Sequence, residues 1–190
     1  MNREPGAIAL TQDDLRTVGL WALGCVERAL PVFEALAPSD SRPREAVEGL
    51  TAFANGGKRT ARLRARGWAA WAAREVADPA AAAAARAASL AAAIAYTHSL
   101  ATTHQTNHTL GPVAYAALAL ELAAGGDPNV GDAEVRRALG QASPRVRGVL
   151  CRMARPGVGR GRLGALLRQL DAGLRGEPSS LARQHRHALE

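Results

Sequence analysis

Apolar residues recur at three- and four-residue spacing along nearly the whole chain, the period of a helix with one buried face. From Thr11, with Asp14 three residues on in the manner of a capping box, Leu15, Val18, Leu23, Val26 and Leu30 form one stripe. Pro31 predicts a kink, after which Val32, Phe33 and Leu36 carry the stripe to Pro38. Asp40 or Ser41 is the next cap, Pro43 stands in the first turn, and Asn55-Gly56-Gly57 stops the helix. A third helix is predicted from about Lys58 to Ala77, basic in its first half, with Trp68 and Trp71 as core anchors. Asp78-Pro79 then opens a long Ala-rich helix. Gly111-Pro112 predicts a second kink, Val113 to Ala124 is helical, and Gly125 to Asn129 is a loop. Asp132 is the expected cap of a short helix to about Leu139, Ser143-Pro144 opens another reaching Arg155, and a last one covers roughly Arg162 to Leu174.

Composition supports the same class. Ala, Leu and Arg dominate, whereas strand-favouring residues are few and scattered. The expectation is an all-α fold, a compact bundle of about seven or eight helices with an Ala/Leu core. It forms one domain over residues 1–175, and a flexible tail follows over 176–190. Cys25 and Cys151 lie far apart in apolar, helical surroundings and are read as reduced thiols of a cytoplasmic protein. The N-terminus has neither the apolar run nor the cleavage site of a secretory signal. The stretch Pro79 to Ala95 carries Arg86 and is too Ala-rich to insert readily, so no membrane span is expected.

The net charge of +7 is unevenly spread. Residues 58–66 carry +5 and residues 145–175 carry +7, on a body that is otherwise mildly acidic. Such blocks attract phosphates or acidic proteins. Arginines outnumber lysines 23 to 1, the bias of a GC-rich genome, and no aromatics interleave with the C-terminal arginines. Nucleic acid is therefore disfavoured as a partner.

One segment breaks the pattern. Thr97 to Thr109 reads THSLATTHQTNHT, in which eleven of thirteen residues are polar and none carries a fixed charge. Neutral hydrogen-bonding groups at this density suggest a partly desolvated place that must satisfy polar partners. His104 and His108, at i and i+4, share a helix face, with Thr103 and Asn107 on the adjoining strip. His98 joins them only if the chain bends near Ala101-Thr102-Thr103. The pair suits general acid–base chemistry at neutral pH. A metal would lack a third ligand nearby, so neither metal nor cofactor is expected. The bland alternative is hydrogen bonding between helices. A second cluster, Asp40-Ser41-Arg42-Pro43-Arg44, reads as a capped helix start with Arg44 turned toward Glu48. Its alternative is a bidentate anion site at Arg42 or Arg44.

The stretch from Leu20 to Gly57, the spacing His98-x5-His104-x3-His108 and the following TLGPVAYAAL resemble the putative immunity protein family over roughly residues 20 to 124. Asp40-x-Arg42-Pro43-Arg44 and the three histidines ahead of Leu110-Gly111 and Tyr115 carry the likeness. The resemblance implies a small all-helical bacterial domain, associated with polymorphic toxin systems, that neutralises a toxin by binding it. It adds Tyr115 to the candidate binding residues. The family's histidine segment is mainly Ala, Val and Gly, whereas this one is rich in Thr, Gln and Asn, and Pro112 replaces a small residue. That enrichment supports a second expectation: a small cofactor-independent enzyme or ligand-binding protein of specialised metabolism. There the island and the Asp40–Arg44 segment would line one cavity. Either reading is compatible with a homodimer.

Overall fold

The computed structural model describes residues 6–157 and 159–177. It contains α1 (Gln12–Leu36), α2 (Arg42–Ala54), α3 (Ala61–Ala72), α4 (Pro79–Ala93), α5 (Thr103–Ala123), α6 (Pro128–Gln141), α7 (Pro144–Arg152) and α8 (Gly161–Leu174). The fold is all-α, and no strand occurs among the described residues; an isolated antiparallel bridge joins Ala7 to Leu100. Side chains of Thr11, Thr60, Asp78, Thr102, Asp127 and Ser143 cap their helices by accepting backbone N–H bonds.

α4 is the central helix and packs against α1, α2, α3 and α5. Ala81, Ala84, Ala85, Ala87, Ala88 and Ala91 are completely buried, and their small side chains let neighbouring axes close in from several directions. By length and composition residues 79–96 could cross a membrane, but most of that stretch is buried inside the bundle as its core. Phe33, Phe53, Leu30 and Leu50 fill the space that alanine leaves between α1 and α2.

Helix α1 runs on through Pro31 and α5 through Pro112. Leu30 and Phe33 are fully buried around the first proline, and Leu110 and Val113 around the second, so packing outweighs the lost hydrogen bond. Asp127, not Asp132, caps α6, because Pro128 behind it fits the first helical position and Asp132 is drawn to Arg162. Cys151 is exposed, unlike Cys25. Burial pushes the Cys25 thiol up to about 11, which makes it an inert core group. Glu177, placed in the expected tail, bonds through its N–H to the Ala172 carbonyl and through its carboxylate to Arg155. Residues 178–190 of that tail lie outside the described residues.

The basic C-terminal block turns its charge inward. Arg145 and Arg152 hold Asp14 at 2.9 and 3.0 Å, and Arg155 and Arg175 hold Asp171 at 3.0 and 2.7 Å. Arg147 donates to the carbonyls of Leu139 and Gly173. Burial opposes ionisation of Asp14, yet the Thr11 backbone N–H, Arg145, the Thr11 hydroxyl and Arg152 together hold its carboxyl below the ordinary value. Its charge therefore stabilises the fold above the unfolded-state value, and the benefit disappears as pH falls through the lowered folded value. Asp14→Ala should cost about 1–2 kcal/mol at pH 7, and the difference from wild type should begin to shrink as pH falls below about 4 in chemical-denaturation curves.

Candidate functional site

The Thr97–Thr109 island is cut in two by the fold. A 3-10 turn over Ile94–Tyr96 ends at Thr97, residues 98–102 run non-helically, and Thr102 caps α5. The chain bends here, which meets the condition for His98 to join the other two histidines, and three contacts hold the bend. Ile8 N–H bonds the Ser99 carbonyl at 3.1 Å, Ala101 N–H bonds the Gly6 carbonyl at 3.0 Å, and the Gln105 side-chain oxygen accepts from His98 N–H at 2.8 Å.

The bend brings all three histidines to one cavity of about 530 Å³ between α3, α4 and the start of α5. Leu63, Gly67, Leu90, Ala92 and Ala93 form its apolar floor, and Trp68, Trp71 and Tyr96 its aromatic wall. Arg64, Ser89, His98, His104, Gln105 and His108 supply the polar groups. Among the lining residues there is no carboxylate. The volume is that of a small-ligand pocket.

α3 explains the aromatic wall. Its inward face is Leu63, Gly67 and Ala70, and glycine is needed where α3 meets α4: a Cβ at Gly67 would lie 3.2 Å from the Ala92 Cβ. The Ser89 hydroxyl closes the contact by donating to the Gly67 carbonyl at 2.8 Å. Arg64, Trp68 and Trp71, at i, i+4 and i+7, consequently occupy a neighbouring face over the cavity. The tryptophans are thus not the core anchors that their size suggests. Trp68 is 70% exposed and Trp71 half-buried. Arg74 and Arg86 stack on the Trp71 ring at 4.3 and 4.7 Å, and the Arg64 guanidinium lies 4.5 Å from the Tyr96 ring centroid.

His104 and His108 meet edge to face with ring centroids 4.4 Å apart and their Nε2 atoms 2.9 Å apart. One Nε2 must donate and the other accept, so the pair shares a proton. Burial, then the nearby His104 and His98 rings, hold the His108 imidazole below its ordinary value, which favours its neutral form. The arrangement can take up a proton or donate one to a bound group. Among the described residues no group of three or more His, Cys, Asp or Glu side chains gathers to hold a metal.

The other candidates lie elsewhere. Thr103 donates to the Arg155 carbonyl at 3.2 Å, and Asn107 packs toward Gly157, both on the side of α5 away from the cavity. Thr106 donates to the Ala154 carbonyl at 2.7 Å, and Thr109 is 3.7 Å from the Met153 sulfur. These threonines tie α5 to the 153–157 segment, which accounts for much of the island's polarity by packing. The Tyr115 hydroxyl accepts from Arg86 at 3.0 Å, so it positions the arginine that braces Trp71 and does not line the cavity. Asp40 pairs with Arg42 at 2.6 Å, and Arg44 pairs with Glu34 rather than Glu48, because α1 lies beside the start of α2. The Asp40–Arg44 segment does not join the histidines in this cavity. Sequence reasoning missed Arg64 and Tyr96; the i, i+4, i+7 run Arg64-Trp68-Trp71 was the signal for the first.

Residues 9–145 match the family described as Imm-5 like putative immunity protein, a longer span than residues 20–124. Neither a curated protein nor a solved structure matches the chain.

Proposed function

Since this chain belongs to the Imm-5 like putative immunity protein family, we propose that it binds and neutralises a partner toxin through the basic, aromatic face around α3. The observation that carries this reading is the contrast between the two basic blocks. Arginines 145–175 are largely spent on internal carboxylates and carbonyls, whereas Lys58, Arg59, Arg62 and Arg64 are exposed and form no ion pair with another described residue. Beside them Arg59, Thr60, Arg64, Trp68 and Tyr96 line a shallow groove of about 480 Å³. Exposed tryptophan and arginine together are the residue types that most often anchor protein interfaces. A partner with an acidic patch and an apolar notch fits this face, and charge complementarity would speed and orient its approach. The free thiols of Cys25 and Cys151 accord with action in the cytoplasm.

The test is co-expression of the full chain with the product of each adjacent gene. One product should arrest growth alone, be tolerated alongside this chain, and elute with it as a stoichiometric complex. The double variant Arg59→Glu, Arg62→Glu should keep wild-type helicity and weaken that complex roughly ten- to a hundredfold, while Arg136→Glu on α6 should leave it unchanged. If no adjacent product is neutralised, or if the double variant protects as well as wild type, the reading is wrong.

A further inference from the structure

The cavity beneath this face has a chemistry of its own, and we infer that it is a binding site for a small aromatic carboxylate. The walls exclude two classes of ligand. A cationic ligand would meet Arg64 and three imidazoles with no carboxylate among the lining residues. A wholly apolar ligand would cover the Arg64 guanidinium, which pairs with no described carboxylate, without giving it a partner. An anionic head group satisfies both conditions. Arg64 has no ion pair with a described carboxylate and is held in place by stacking on Tyr96 at 4.5 Å, so its guanidinium is available for a carboxylate. The His104 and His108 rings line the same cavity and add polar edges beside the guanidinium, with their Nε2 atoms bonded to each other at 2.9 Å.

The body of the ligand follows from the remaining surface. Leu63, Leu90, Ala92 and Ala93 give an aliphatic floor, and the exposed Trp68 ring at the mouth offers a flat face against which a second ring can stack. Trp71 is braced by Arg74 and Arg86, and Arg86 in turn by Tyr115, so this wall is set before a ligand arrives. The cavity shares Arg64, Trp68 and Tyr96 with the proposed partner face but not Arg59 or Arg62, and the chain alone suffices for the measurement, so the two proposals can fail independently.

The test titrates the full-length protein with 2-naphthoate, 2-naphthamide and 2-naphthylmethylammonium, following heat and tryptophan fluorescence. Naphthoate should bind one to one and about tenfold more tightly than the amide, the value of one charge-assisted contact, and the ammonium should bind most weakly. Arg64→Gln should remove about that tenfold preference while sparing the amide. Ala93→Trp, which fills a half-buried position on the floor, should abolish binding of both; should that variant unfold, Leu90→Trp fills the same space from the preceding turn. The inference fails if naphthoate and amide bind equally, if the ammonium binds best, or if binding survives in a folded cavity-filling variant.

Discussion

Glu121→Ala should lower the unfolding free energy by about 3 kcal/mol, which is about 6–12 °C in melting temperature for a chain of this size. Glu121 lies in α5 with its side chain 5% exposed, and it is the main carboxylate holding Arg162 of α8. Arg162 Nε sits 3.0 and 2.7 Å from the two carboxylate oxygens, and its Nη2 reaches Asp132 at 2.7 Å and the Pro128 carbonyl at 2.8 Å. One guanidinium thus pins α5, α6 and α8 together. Removing Glu121 leaves that cation with a half-open pair to Asp132 and a cavity where the carboxylate was. Gly131 shows how tightly the carboxylate is enclosed, since a Cβ there would overlap Glu121 Oε2 and lie 3.0 Å from Arg162 Nη2. Gly131→Ala should therefore destabilise by the same route. The double variant Glu121→Leu, Arg162→Met should recover most of the loss, because an apolar pair needs no counter-charge. Equal loss in single and double variants would show that the ion pair is not the cause.

The network just described marks the boundary of what the sequence reveals. Three helix starts were legible because their signals are local: Thr11 with Asp14, Asp78 with Pro79, and Ser143 with Pro144 each act within one turn. The His104–His108 face was legible for the same reason. Arginine partners were not, because Arg145 finds Asp14 and Arg162 finds Glu121 only after the helices pack. The tryptophans misled for a different reason. Hydrophobic size points to Trp68 and Trp71 as core, but α3 approaches α4 so closely that Gly67 and Ala70 fill the inward face and the rings are displaced to the cavity. The island's threonines show the converse. Thr106 and Thr103 bond the carbonyls of residues 154 and 155, backbone groups that no composition argument can single out.

Gly164→Ala should destabilise the protein by about 2–3 kcal/mol, an effect out of proportion to one methyl group. The new Cβ would overlap the Gly159 carbonyl and lie 3.0 Å from the Gly159 Cα. Both are main-chain atoms, so no side-chain rotation can make room. One way out is to lift α8, whose Leu166 and Leu170 are completely buried. The other is to displace the return segment between α7 and α8, which carries the Ala154 and Arg155 carbonyls that hold Thr106 and Thr103. The second route strains the first two turns of α5, the same turns that set the 2.9 Å spacing of the histidine pair on their opposite side. The variant should thus show altered His104 and His108 ring resonances although Gly164 touches neither. Gly148→Ala is the matching control: it lies in α7, a Cβ there meets nothing within 4 Å, and alanine is the better helix former. It should be neutral or slightly stabilising, with unchanged histidine signals. Equal stability of the two variants would mean that the 153–161 segment yields freely, and the threonine contacts would then not be what positions the histidines.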